Sequence, residues 1–560
     1  MNKLRVNFIL AFVVLLSGLL IFRLYQVQIQ EGDYWKALAQ GQQKFFSRVE
    51  GERGSVFIQN RNKELIPLAI NRSWTKAYIS PREILGKGED VEELVEELSH
   101  ILDVEASFIL ERMQRESSSF EVLKRRLSEE EKKLIQEMDF SGVYLREEAN
   151  RFYPQQDLAA HVIGFVGGEN TGQYGIEGFH DELLRGVEGV REGKRTVWGS
   201  LVTRDSAQTG SSLILSIDYN IQFTAERLLK QAAKDYEIAG GTVIVGDPQT
   251  GAILALTNYP SFNPNSYAES PSMEVFKNSA VQNLFEPGSV FKPLVMAMAL
   301  EEGSVTPTTI YNDTGNVTVS GHTIHNYNKR IWGEVNMTDI VKNSINTGMV
   351  FVEKQMGHNV FLDYLRNLDF FKETGIELQG EVYSDNRSFL EGYDINFATA
   401  SFGQGFKVTP IQLFASYLSI ASGGDLIRPY ILEDGTSKPE VIREVFSSKT
   451  VSQITAMMVA SVKDGFGQNA AIDGYYVAGK TGTAQIPWSS LGVNRSGYSN
   501  ETIQGFIGYA PASNPRFLIL VVLDRPNTRS AGYSAAPLFK DLAEYIIDYK
   551  QIPPDYRIDD

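Results

Sequence analysis

The chain has 560 residues, 42% of them apolar and 22% charged, with 69 Asp and Glu against 53 Lys and Arg and no cysteine. The length predicts two or more domains, each large enough for a core of its own. The net charge of −16 argues against nucleic acid as a general partner, and the lack of cysteine excludes disulfides and thiol chemistry.

In chain order, Val6 to Leu24 comes first, nearly all apolar and uncharged before Arg23. It approaches the roughly 20 residues that a membrane-spanning helix needs. Lys3 and Arg5 precede it, which predicts a cytoplasmic N-terminus with the rest of the chain outside. A cleaved signal peptide is the competing reading, but the run is long for one and no Ala-x-Ala site follows. Arg53-Gly54-Ser55-Val56 opens an extended, turn-rich region through Pro67 and Pro81. Asp90 and Ser128 then start two capped helical patterns, Leu94, Val95, Leu98, Ile101 and Leu102 marking the first. Together they predict a small helical insert in a non-catalytic region. A new domain is expected near Leu213, with a hairpin around Asp247 to Gly251. Helical patterns fill its middle, including one helix from Thr338 to Met356. Strands return at Tyr475 to Ala484, Gly505 to Ala510 and Phe517 to Leu523, before a helix from Ala536 to Tyr549. Strands at both ends with helices between predict an α+β fold, an antiparallel sheet flanked by helices. The expected organisation is a stub over 1–5, an anchor over 6–24, a pedestal over 25–210 with its helical insert near 90–138, a catalytic domain over 211–551 and a loose tail over 552–560.

The chemistry centres on Glu286-Pro287-Gly288-Ser289-Val290-Phe291-Lys292. Three residues apart on a helix, Ser289 and Lys292 share one face. A serine hydroxyl needs a base to become a nucleophile, and a lysine serves once burial or a nearby positive charge lowers its pKa. Gly288 can open the helix, whose positive end disfavours a charged Lys292. Leu294 to Leu300 is almost purely apolar, as in a helix buried on all sides. Ser73-Trp74-Thr75-Lys76 repeats the spacing, so the motif alone is weak. Two segments read Ser-x-Asn: Ser344-Ile345-Asn346 within a helical pattern, and Ser384-Asp385-Asn386 in a turn-rich stretch. The first is preferred because a helix would position it rigidly. Lys480-Thr481-Gly482-Thr483 follows a strand, and its charge and hydroxyls suit the carboxylate of a peptide paired along the strand edge.

Gly474 to Thr481 also satisfies the spacing of a P-loop NTPase. Its middle residues Tyr475, Tyr476, Val477 and Ala478 have strand composition, and Pro487 and Gly492 break any following helix. His322 and His325 form an H-x-x-H with no carboxylate or cysteine pattern to complete a metal site, so no metal and no cofactor are expected.

Ser289-x-x-Lys292, Ser344-x-Asn346 and Lys480-Thr481-Gly482, in that order, resemble the three motifs of penicillin-binding proteins and serine β-lactamases. Arg53-Gly54, Arg151 to Pro154, Ala160 to Gly164, Gly175 to Glu177, Asp247 to Gly251, and Ser401 to Gly405 through Pro410 resemble class B penicillin-binding proteins, so the likeness covers nearly the whole chain. It implies peptidoglycan D,D-transpeptidation through a serine acyl-enzyme on D-Ala-D-Ala stem peptides, and covalent binding of β-lactams. It assigns Ser289 as nucleophile, Lys292 as base, Ser344 as proton relay and Lys480 as the local positive field. Asn346, Thr481, Gly482 and Thr483 would bind substrate, and the N–H groups of Ser289 and Thr483 would form the oxyanion hole. Gly375 to Leu378, Ile324 to Asn326 and Ser344 to Gly348 resemble the septal division type more than the elongation type. The implied partners are a SEDS-type membrane glycosyltransferase and divisome or elongation proteins. A D,D-carboxypeptidase, a β-lactamase and a β-lactam sensor are the other readings of the same fold; the long pedestal and short cytoplasmic stub disfavour the last two. The sequence departs from the family at Gln59 to Lys63, where Asp-Arg-Asn-Gly is usual, and at Gln379, where Pro is frequent.

Overall fold

The computed structural model describes residues 2–36, 44–49, 51–87, 90–138, 140–168, 170–187, 189–196, 199–385, 387–433, 435 and 439–556. The chain divides into two compact units, 1–54 with 185–211, and 55–184 with 212–560. The first unit contains the helix Asn2–Tyr25, continued by a π-helical turn over Gln26–Gln30. Leu4–Gln30 is apolar and long enough to cross a membrane, with mean hydropathy 2.4 over its best window. The strands Lys44–Val49, Gly189–Thr196 and Gly199–Asp205 form an antiparallel sheet in the same unit.

In the second unit, a five-stranded antiparallel sheet runs in the order Ile253–Tyr259, Gly240–Gly246, Phe517–Asp524, Tyr498–Ala510, Ala478–Pro487. Its strands Ile253–Tyr259, Gly240–Gly246 and Phe517–Asp524 are largely apolar because both faces are covered. Side chains alternate between the faces. Val243, Val245, Ile519 and Val521 pack with the helices Tyr219–Asp235 and Ala535–Lys550. Ile244, Leu518 and Leu520 belong to the opposite core, together with Leu294 to Leu300. Every residue from Lys292 to Leu300 is buried, as the apolar run predicts.

The region after Arg53 is extended as expected, but it is built of long paired strands more than of turns. Val56–Gln59 pairs with the 15-residue strand Leu65–Ile79, which also pairs with Val143–Phe152 and Glu121–Lys124. Pro67 is tolerated because it sits beside a register shift in the ladder. The insert holds the expected helices Val91–Leu102, capped by Asp90, and Glu129–Glu137, with a capping box at Ser128. It is not purely helical, since Glu121–Lys124 extends the sheet. Ala77 and Ile79 of the long strand share one core with Leu94, Leu98, Ile109 and Ile135. Leu213–Asp218 pairs in parallel with Val56–Gln59, while Ser216 N–H donates to Ile431 O at 2.7 Å, so this strand joins the pedestal sheet to the catalytic region. The tail expected to be loose is fixed as far as Tyr556. Asp555 N–H donates to Gly474 O at 2.8 Å and Asp555 Oδ2 accepts from Tyr476 N–H at 2.8 Å. Residues 557–560 lie outside the described residues.

Candidate active site

Ser289 lies in a 3-10 turn, Gly288–Phe291, that leads into the α-helix Lys292–Glu301. Gly288 has φ +60°, a conformation that L side chains rarely adopt. Its N–H donates to Gly403 O at 2.9 Å, and a Cβ on Gly403 would lie 2.2 Å from Gly288 O. The Ser401 to Gly405 segment therefore braces the turn that carries Ser289. Tyr417, fully buried, donates its hydroxyl to Val290 O at 2.5 Å from the other side.

The expected single helix from Thr338 to Met356 is two, Met337–Lys342 and Asn346–Met356. Ser344 occupies the break at φ +56°. Lys292 Nζ donates to Ser344 O at 2.7 Å, to Ser344 Oγ at 3.1 Å and to Asn346 Oδ1 at 2.7 Å. Those bonds hold the break in place. Asn346 in turn donates its Nδ2 to His325 O at 3.0 Å. Its amide, predicted to hold a substrate amide, is thus already oriented at both ends by the protein.

Lys480 lies in the edge strand Ala478–Pro487 and is fully buried. Its Nζ donates to Ser344 Oγ at 3.2 Å and to Thr481 O at 3.0 Å. Ser344 Oγ is therefore shared by two lysines. Burial pushes the Lys480 ammonium down to about 7. Burial first, and then the charge of Lys480, hold Lys292 well below the usual lysine range. Both effects favour a neutral amine, the form that can accept a proton; with two N–H it donates in two of its three contacts, and the Ser344 hydroxyl donates in the third. Ser289 Oγ is half-buried, and among the described residues Lys292 bonds to Ser344 and Asn346, not to it. A catalytic bond is commonly long in an empty site.

Gly482 lets this strand reach the nucleophile turn: a Cβ there would lie 2.9 Å from Val290 Cγ1 and 3.0 Å from Pro287 O. Thr483 Oγ1 accepts from Ala531 N–H at 3.1 Å, which leaves its hydroxyl proton to donate. A cleft of about 520 Å³ opens here, lined by Ser289, Ser344, Asn346, Thr481 and Thr483. Sequence reasoning missed Phe466 and Arg529, which also line it; neither falls in a recognisable pattern, and only the fold brings them in.

Of the other candidate residues, His325 lines the cleft, and Ser73, Lys76, His322, Ser384 and Asp385 do not. Ser73 and Lys76 are in a strand, where a three-residue separation puts side chains on opposite faces. Lys76 pairs with Glu148 at 2.9 Å. Ser384 is buried in a loop and Asp385 pairs with Arg387 at 2.6 Å. Neither lines the cleft, and Asn386 lies outside the described residues. The P-loop spacing fails structurally, since Lys480 and Thr481 continue a strand to Pro487 where a helix would have to begin. His322 and His325 sit on a hairpin strand, and among the described residues no cluster of three metal-ligating side chains occurs.

Comparison with known proteins agrees with this geometry. The penicillin-binding protein transpeptidase domain matches residues 241–544, and the penicillin-binding protein dimerisation domain matches 48–215. The chain belongs to the penicillin-binding protein transpeptidases. Among its relatives is stage V sporulation protein D of Bacillus subtilis, 30% identical over 95% of this chain and 84% of that one. Another is the peptidoglycan D,D-transpeptidase FtsI of Escherichia coli, 30% identical over 87% and 83% of the two chains. The fold matches a peptidoglycan synthetase from Bifidobacterium adolescentis with TM-score 0.69 at 23% identity, over 92% of this chain and 98% of that one. It matches penicillin-binding protein 3 of Mycobacterium tuberculosis, solved with aztreonam, with TM-score 0.68 at 24% identity, over 91% and 98%. Family membership makes this chain a serine-type transpeptidase of the cell wall with an apolar N-terminal helix suited to a single-pass anchor.

Proposed function

We propose that this chain cross-links peptidoglycan at the division septum as a D,D-transpeptidase, with Ser289 as its nucleophile. The observation that carries the assignment is Ser344 Oγ held between two buried lysines, at 3.1 Å from Lys292 and 3.2 Å from Lys480. The names of the relatives support the reaction and, through FtsI, the septal role.

In this reading Ser289 Oγ attacks the carbonyl of the D-Ala-D-Ala bond and passes its proton to neutral Lys292. The N–H groups of Ser289 and Thr483 receive the oxyanion, each donor worth about 3 kcal/mol. The proton then moves from Lys292 through Ser344 Oγ to the departing amine, and D-Ala leaves. An acceptor amine attacks the acyl-enzyme, returns its surplus proton to Lys292, and Ser289 recovers its own. Thr481 and Thr483 bind the terminal carboxylate of the donor, which pairs along the free edge of Ala478–Pro487. A β-lactam enters the same path and remains on Ser289.

Residues 1–5 stay in the cytoplasm because Lys3 and Arg5 flank the span, and the cleft faces outward. The pedestal positions it and meets a SEDS-type glycosyltransferase and divisome proteins. The proposed organisation is a pedestal over 25–210 and a catalytic domain over 211–551. The test is product analysis with a stem pentapeptide and an acceptor amine, together with mapping of a labelled penicillin. Cross-linked dimer and label on Ser289 are expected. Label on another serine, or hydrolysis alone, refutes the reading.

A further inference from the structure

The hairpin region before Ser344 contains a carboxylate that the mechanism above does not use. Asp313, 1% exposed, ends the strand Ile310–Asp313. Four groups donate to it. Gly315 N–H and Thr347 Oγ1 reach Oδ1 at 3.0 and 2.6 Å, and Trp332 N–H reaches Oδ2 at 2.9 Å. Asn326 Nδ2 reaches both oxygens, at 3.0 and 2.9 Å. Among the described residues no lysine or arginine pairs with it. A buried carboxylate without a cation is expensive unless donors saturate it, and here they do.

The donors lead directly to the catalytic lysine. Asn326 Oδ1 accepts Thr347 N–H at 3.1 Å, so Asp313 and Asn326 together fix both the hydroxyl and the backbone of Thr347. Thr347 follows Asn346 at the first turn of its helix. Asn326 follows His325, whose carbonyl holds Asn346 Nδ2 at 3.0 Å. Both routes from the carboxylate converge on Asn346, and Asn346 Oδ1 holds Lys292 Nζ at 2.7 Å. Backbone N–H groups, an amide N–H₂ and a hydroxyl converge on the one carboxylate.

We propose that Asp313 is a positioning residue for acylation, acting through Asn326 and Thr347 to hold Asn346 and thereby aim Lys292 at the Ser289 hydroxyl. This rests on Ser289 being the nucleophile, which drug mapping on the wild-type protein tests separately.

The test uses the full-length protein in detergent and a fluorescent penicillin as probe. The second-order acylation rate, the fraction of protein that can be labelled and the thermal midpoint are measured for Asp313→Asn, Thr347→Val and Thr347→Ser. Asp313→Asn turns an amide N–H₂ toward donors, and Thr347→Val deletes the hydroxyl at constant shape. Each should slow acylation about 10- to 100-fold, the effect of a small misplacement of a catalytic group, with the labelled fraction unchanged. Thr347→Ser keeps the hydroxyl and should restore most of the rate. In an Asn346→Ala background, Thr347→Val and Asp313→Asn should each add less than about threefold, because the group they position is gone. An undiminished effect in that background overturns the proposal. So does a loss that tracks the labelled fraction, which would make Asp313 a folding residue only; if Asp313→Asn fails to fold, the Thr347 pair decides alone.

Discussion

At Gly482 the edge strand packs tightly against the turn that carries Ser289, the proposed nucleophile, and Gly482→Ala tests whether that approach sets the rate. The added Cβ would meet Val290 Cγ1 at 2.9 Å, Pro287 O at 3.0 Å and Val290 N at 3.1 Å. Two of these are backbone atoms of the turn itself, and Val290 is 1% exposed, so none can swing aside. Ordinary contact begins near 3.4 Å, so the strand must part by about 0.5 Å from Val290 Cγ1 and by about 0.3–0.4 Å from the backbone atoms flanking Ser289. A misplacement of about 1 Å costs on the order of 100-fold in rate, so half of that predicts about tenfold slower acylation. The overpacking should also cost about 1–3 kcal/mol of stability. Gly505, paired opposite Gly482, is the control: its Cβ would meet Val521 O at 3.3 Å and Val290 Cγ1 at 3.9 Å. Stopped-flow acylation with a fluorescent penicillin and urea unfolding would read both effects. If Gly482→Ala acylates at the rate of the wild type, or if Gly505→Ala is equally slow, the close approach does not govern the nucleophile.

Lys292→Ala should reduce labelling of Ser289 by about 10²–10⁴-fold, the usual worth of a general base, while Ser289→Ala abolishes it and Ser73→Ala leaves it unchanged. Glu226, 8% exposed, is pushed up to about 7 by burial, and its Oε1 accepts from Ala159 N–H at 2.7 Å and Gln222 Nε2 at 2.8 Å. The folded state holds this proton more tightly, so its contribution to stability is complete below about pH 4.5 and is lost as pH rises through about 7. Glu226→Gln keeps the accepting oxygen without the charge, so its stability relative to wild type should rise over that window by at most about 3 kcal/mol; a constant difference in urea unfolding at pH 5 and pH 8 refutes the assignment. Replacing residues 90–138 by a short linker exposes Ala77 and Ile79 but leaves the separate core around Phe291 intact. Acylation should survive while the protein fails to support growth, and loss of acylation would make the insert a folding element.

The motif residues were legible because each depends on local spacing: Ser289 and Lys292 lie one turn apart, and Lys480 to Thr483 lie along one strand. The break at Ser344 was not. Ile340, Val341, Ile345, Met349 and Val350 keep a helical rhythm across it, and no Gly or Pro marks it. Ser344 has a positive φ, and its carbonyl is held from outside by Lys292. Asp313 was invisible for the same reason, since its partners Asn326, Trp332 and Thr347 are neighbours only in the fold. Gln379, a departure from the family at sequence level, has a use in the structure: its Oε1 accepts Tyr174 N–H at 2.7 Å, a bond that Pro could not make. The strand Leu65–Ile79 did not read as one long strand because Pro67 and its polar stretch from Asn71 to Lys76 conceal its partners.

The edge strand shows how one surface satisfies two opposing demands. An unpaired strand invites any extended chain to add to it, which is a liability in most proteins. Here the added chain is the proposed substrate, so the edge has to stay open. The structure limits the opening. At Gly482 the strand packs against the turn that carries Ser289. At its far end Pro487 lacks an N–H and lies beside a register shift. Lys480 points inward and is fully buried, bonded to Ser344 Oγ. In the proposed function a peptide would pair over only a few residues, with its end toward Thr481, Thr483 and Ser289, which line one cleft. Recognition by backbone pairing is indifferent to side chains, so under the proposed function the edge would admit any stem peptide whose terminus fits the cleft, and selectivity would fall to the groups at its end.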